Sequence, residues 1–275
     1  MQRAISMRAD FVEAYQNRGD ILLRLGRPME AKAVYDTALQ YQPSNADIHY
    51  NLGVVLMELG DRHNAFAAFN RALNFNRDHE HALYNSAVFL SDSPGASVAN
   101  KLEAKRRFVR VIAINPAHTQ AHFSLAMLET DFKNFFEAER HYVAALKRDG
   151  ASRSALFNLA LLYYNELKRA SEALSYVKTL LRHHPTHVKG YLLAGDIYLN
   201  SVKNTELAEA AFRRAHELDP NSVQALHNLC VALVTKGDLT NAQKCLLRAQ
   251  KMAPNDETIR EHMTIVRQRL KDAKP

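Results

Sequence analysis

Small and large apolar side chains return along this chain at helical intervals. Ala31, Tyr35 and Ala38 stand at i, i+4 and i+7, and Pro43 follows five residues later. That spacing places three side chains on one helix face, and the proline, with no amide proton to donate, ends the helix. The set recurs as Ala65/Phe69/Ala72/Arg77, Ala104/Phe108/Val111/Pro116 and Ala138/Tyr142/Ala145/Gly150. It continues as Ala173/Val177/Leu180/Pro185, Ala208/Phe212/Ala215/Pro220 and Ala242/Leu246/Ala249/Pro254. Successive final members lie 34, 39, 34, 35, 35 and 34 residues apart. A period of this length predicts stacked helical repeats that bury a shared core.

Each repeat also has an upstream helix whose eighth position must be small, because the second helix crosses there. Gly19, Gly53, Ala87, Ala126, Ala160, Gly195 and Cys230 fill that slot. Period and spacing together resemble the tetratricopeptide repeat, and the resemblance implies an all-α, right-handed solenoid. Seven full repeats are expected at 12–45, 46–79, 80–118, 119–152, 153–187, 188–222 and 223–256. The third carries five extra residues around Ser91–Ser97, a turn-forming insertion between its helices. Residues 1–11 read as the end of a truncated preceding repeat, with Ala4 in a small slot, so the natural protein is expected to extend upstream. Residues 257–275 read as a capping helix and tail. Asp256 is its N-cap, Ile259/Met263/Val266/Leu270 its buried face, and Arg260, Glu261, Arg267 and Lys271 its wet face.

Composition narrows the function more than the fold. Of 275 residues, 47% are hydrophobic and 24% charged, which suits a packed protein rather than a disordered one. The net charge of +7 invites a nucleic-acid reading, but basic residues are interleaved with acids, as in Glu103-Ala104-Lys105-Arg106-Arg107. Solvated helix faces look like this, so no nucleic-acid partner is expected. No window approaches the ~18 continuous apolar residues of a membrane helix. His183-His184-Pro185-Thr186-His187 and Asp78-His79-Glu80-His81 are the densest His clusters, yet both fall in loops without the spacing of a zinc site. No phosphate loop, nucleophile elbow or zincin helix occurs, so neither a catalytic residue nor a cofactor is expected in this segment. Cys230 and Cys245 are equidistant from a turn at Gly237-Asp238, which allows either a disulfide or two buried thiols.

In tetratricopeptide proteins, slots five, six and nine of the first helices line a concave groove. Slot six here reads Asn17, Asn51, Asn85, Ser124, Asn158, Leu193 and Asn228; slot five includes Tyr50, Tyr84, Phe123 and Phe157. An asparagine can bond both polar groups of a passing peptide unit. Helices ~10 Å apart and a peptide rise of ~3.3 Å per residue give one rung for about three residues. The competing reading has these asparagines bonding within the array. The carboxylate clamp of chaperone-tail adaptors needs Lys in slot five, which no repeat has.

Longer stretches are more specific. Asn45-Ala46-Asp47-Ile48-His49-Tyr50-Asn51-Leu52-Gly53, Ala82-Leu83-Tyr84-Asn85-Ser86-Ala87-Val88 and Ser154–Tyr163 resemble the C-terminal repeat region of the transmembrane and tetratricopeptide-repeat family. So do His187-Val188-Lys189-Gly190, Gly195-Asp196-Ile197 and His227–Val231. That resemblance implies the lumenal, substrate-binding part of a protein O-mannosyltransferase of the endoplasmic reticulum. Such an enzyme takes mannose from a dolichol-linked donor and places it on Ser/Thr of cadherin-type proteins. Its catalytic residues and membrane contacts belong to an N-terminal half absent from this sequence. The alternative is a non-enzymatic scaffold holding a partner peptide or helix in the same groove.

Overall fold

The computed structural model describes residues 12–93 and 95–272, and every regular element among them is helical. The truncated repeat expected at residues 1–11 lies outside the described residues. The chain divides into two compact units, the first ending at Lys133 and the second beginning at Asn134.

The first unit contains α1 (Val12–Arg24), α2 (Pro28–Tyr41), α3 (Ala46–Glu58), α4 (Arg62–Phe75), α5 (Glu80–Asp92), α6 (Val98–Ile114) and α7 (Thr119–Asp131). They pair as antiparallel hairpins because one large ring drives into one small slot. A Cβ added at Gly53 would meet the Phe69 ring at 2.5 Å, and one at Gly19 would strike Tyr35. Ala31, Tyr35 and Ala38 are fully buried, as are Ala104, Phe108 and Val111, so the small-large-small pattern is the core itself. Gly26 and Gly60 take positive φ in the turns that close the first two hairpins, where a side chain would be strained. The insertion divides between turn and helix. α6 has 17 residues where α4 has 14, and Ser97 caps it by accepting from the Asn100 amide at 3.1 Å.

The second unit contains α8 (Phe135–Arg148), α9 (Arg153–Leu161), α10 (Ala170–His183), α11 (Val188–Ile197), α12 (Thr205–Leu218), α13 (Val223–Lys236), α14 (Leu239–Met252) and α15 (Glu257–Asp272). Its two 35-residue intervals have a local cause. α9 runs on as a π-turn over Leu162–Glu166, and α11 as another over Tyr198–Val202. A π-turn absorbs one residue without breaking the helix. The residues that follow, Lys168 and Lys203, sit at φ 56° and 58°, where Gly237 sits in the next hairpin. Phe212 presses on Gly195 as Phe69 does on Gly53. α15 covers the end with Ile259, Met263 and Val266 buried, and Asp256 accepts from the Ile259 amide at 3.1 Å.

Candidate functional site

In the first unit, slots five, six, nine and thirteen of the first helices enclose two cavities. One, of about 220 Å³, lies between α3 and α5, with Val54, Met57, Val88 and Phe89 as its apolar wall. Asn85, Glu58 and Arg62 supply its polar edge. The other, of about 280 Å³, lies between α5 and α7 and is walled by Tyr84, Val88, Phe123, Met127 and Leu128. Ser124, Ser91, Asp92 and Asp131 complete it. Val88 in slot nine is common to both. Each cavity is therefore apolar at slot nine and acidic at slot thirteen, where Glu58, Asp92 and Asp131 follow one another. Lys101 pairs with Asp131 at 2.6 Å.

The asparagines divide between groove and array. Asn85 lines the first cavity and donates from Nδ2 to the Tyr50 hydroxyl at 3.4 Å, tying two repeats together. Asn158 donates from Nδ2 to the Ser154 carbonyl at 3.0 Å, within its own helix. Asn17 is exposed on α1, and Asn51 and Asn228 are half-buried.

The aromatic row has a second task that sequence reasoning missed. Tyr50 lies 4.9 Å from the His79 ring, Tyr84 4.9 Å from His118, and Phe157 5.2 Å from His187, centroid to centroid. Each of these histidines caps the first helix of the next repeat. Its Nδ1 accepts from Ala82, Ala121 or Gly190, at 3.2, 3.1 and 2.9 Å. Asn45, Ser222 and Asp256 hold the same place elsewhere. An aromatic in slot five thus clamps the cap of the following repeat. The readable signal was the 34- to 39-residue spacing of these positions, obscured because histidine is not a customary N-cap. Burial, the largest cause in each case, holds His118 and His187 below the usual histidine value. At His187 the neighbouring Arg153, His184 and Lys189 act in the same direction, whereas at His118 the Glu80 carboxylate opposes burial.

The two histidine-rich loops serve the same architecture. His184 bonds the Ala151 carbonyl through Nε2 at 2.6 Å, and Asp78 pairs with Arg110 at 2.7 Å. Among the described residues no three His, Cys, Asp or Glu side chains converge on a metal position, and no helix is long and apolar enough to cross a membrane. Cys230 and Cys245 face each other across the α13–α14 hairpin with Cα atoms 5.4 Å apart and sulfurs at 2.11 Å, bonding distance.

Over 269 residues, 98% of its length, the chain is 41% identical to Protein O-mannosyl-transferase TMTC3 of Homo sapiens. It is 45% identical over the same share to Protein O-mannosyl-transferase Tmtc3 of Drosophila melanogaster. It spans 29% of the length of each. Among solved structures, the C-terminal part of a TPR repeat-containing protein from Cytophaga hutchinsonii superposes with a TM-score of 0.73 at 14% identity. That likeness covers 90% of this chain and 98% of the other, and it speaks for the fold. The sequence profile of the tetratricopeptide repeat matches residues 17–80, 131–188 and 166–223, and a second profile of the same repeat matches 199–261. Since those matches take in more than half of the residues and coincide with the observed helical hairpins, the chain belongs to the tetratricopeptide repeat family.

Proposed function

We propose that this chain is the polypeptide-binding repeat region of a membrane-bound protein O-mannosyltransferase, held on the lumenal side of the endoplasmic reticulum. In this reading, mannose passes from a dolichol-linked donor to Ser/Thr in a part of the protein outside this chain. The repeats hold the acceptor, a cadherin-type protein, as an extended segment. The observation that carries the proposal is the identity of 41–45% across 98% of the chain to proteins named for that transfer. The two cavities add a physical route. They follow each other at the helix-to-helix spacing and share an apolar wall, so side chains about three residues apart in an extended, polyproline-II-like segment find successive seats. Asn85 and Ser124 offer hydrogen bonds to its backbone between those seats.

Val88→Trp tests this directly, because Val88 is the wall that the two cavities share. The expected result in the full-length protein is loss of acceptor binding and of acceptor mannosylation, with helical content unchanged by circular dichroism. Lost binding with unaltered mannosylation would favour the scaffold reading. Unaltered binding would remove the groove of the first unit from the account.

A further inference from the structure

We propose that Asp196, in slot nine of α11, is a docking point for the ammonium or guanidinium group of a lysine or arginine in a bound polypeptide. The inference rests on the groove reading above and names one side chain that the groove selects.

The argument begins with a comparison inside the chain. Asp20 occupies slot nine of its own repeat and accepts a hydrogen bond from the Tyr35 hydroxyl at 2.5 Å. Tyr35 is the large ring that packs on Gly19. In the sixth repeat the ring on Gly195 is Phe212, which has no hydroxyl. Asp196 therefore keeps the carboxylate of the first repeat and lacks its donor. Among the described residues nothing donates to that carboxylate. The contact made to Asp196 from α9 goes to its main-chain carbonyl, which accepts from the Tyr164 hydroxyl at 3.3 Å. The side chain is half-buried, and burial alone pushes it up to about 6, with no neighbouring charge contributing.

A half-buried carboxylate without a donor is costly, and a ligand that brings the donor recovers that cost. At neutral pH the group is still mostly ionised, and none of the described residues neutralises it. A cationic donor supplies charge as well as a hydrogen bond, which favours it over a neutral hydroxyl. Slot nine has the right aspect, since Val54, Val88 and Met127 in the same slot line the cavities of the first unit. The backbone is also altered at this level. Tyr164 belongs to the π-turn ending α9, and the π-turn Tyr198–Val202 starts two residues after Asp196. Such turns recur at functional sites.

The test uses immobilised positional-scanning libraries of acetylated ten-residue peptides with one position fixed as Lys, Arg, Gln or Glu. The wild-type chain should be retained by the Lys and Arg sets about tenfold better than by the Gln set, the scale of one charge-assisted hydrogen bond. That preference should fade as the pH falls through about 6. Asp196→Asn should erase the preference and keep retention by the Gln set. Phe212→Tyr is the sharper variant. It leaves the carboxylate in place and gives it the internal donor that Tyr35 gives Asp20. It should therefore erase the preference while lowering the Asp196 titration point read by NMR. A Lys/Arg preference that survives either variant, or is absent from the wild type, overturns the proposal alone. Failure of every library to retain the wild-type chain overturns the groove reading, and this proposal with it.

Discussion

Gly53 shows how little room the crossing of two helices leaves. With the Phe69 ring 2.5 Å from where a Cβ would stand, Gly53→Ala should destabilise the chain by about 1–3 kcal/mol in urea unfolding. This crossing was legible in the sequence, because a small residue opposite a ring recurs at a fixed interval. The histidine caps were not legible. Their role depends on a neutral Nδ1, which no spacing reveals, and on the Tyr84 or Phe157 ring packed beside it. Their pH dependence has a definite sign. His118 and His187 are held below the ordinary value of 6.5, so the unfolded chain binds protons that the folded chain refuses. Their contribution is complete above about pH 6.5 and is lost as the pH falls through the lower folded values. The groups facing them are Glu80, His81 and His122 at His118, and Arg153, His184 and Lys189 at His187. Replacing both by Asn, the cap that Asn45 provides for α3, should flatten the fall in Tm between pH 7.5 and 5. An unchanged slope would show that the caps do not titrate in this range.

At the scale of the element, two features of the second unit make predictions. Lys168 and Lys203 hold a left-handed conformation that Gly237 adopts without strain in the next hairpin. Lys203→Gly should therefore raise stability by about 0.5–1 kcal/mol, measured as a shifted urea midpoint. The 35-residue intervals were visible in the sequence, but their expression as π-turns was not, since one added residue fits a loop as well as a helix. The cysteines argue similarly. Equal distance from a turn showed that Cys230 and Cys245 could meet, while pairing depends on side-chain direction, which the fold supplies. Intact mass after alkylation, with and without prior reduction, should show the pair bridged in protein from an oxidising compartment. Closing a 15-residue separation should add up to about 3 kcal/mol to the stability of the second unit.

For the molecule as a whole, the period prescribed the hairpins, and the groove followed only where side chains left space. Slots five, six and nine were expected to line the groove, with the binding residues drawn from five and six. Part of that set is engaged in holding repeats together, through Asn85 on Tyr50 and the rings on the histidine caps. Slot nine, apolar where it lines the two cavities of the first unit and carrying Asp196 in the second, is where the account now places recognition. The most direct measurement installs a photo-crosslinking phenylalanine at Val88, at Met127 and, as an outward control, at the exposed Arg106 of α6. Each protein is irradiated with an acceptor ectodomain and the adducts are mapped by mass spectrometry. The account predicts adducts from Val88 and Met127 to one extended acceptor segment, and none from Arg106. Adducts at Arg106 with none at the two groove positions would contradict it.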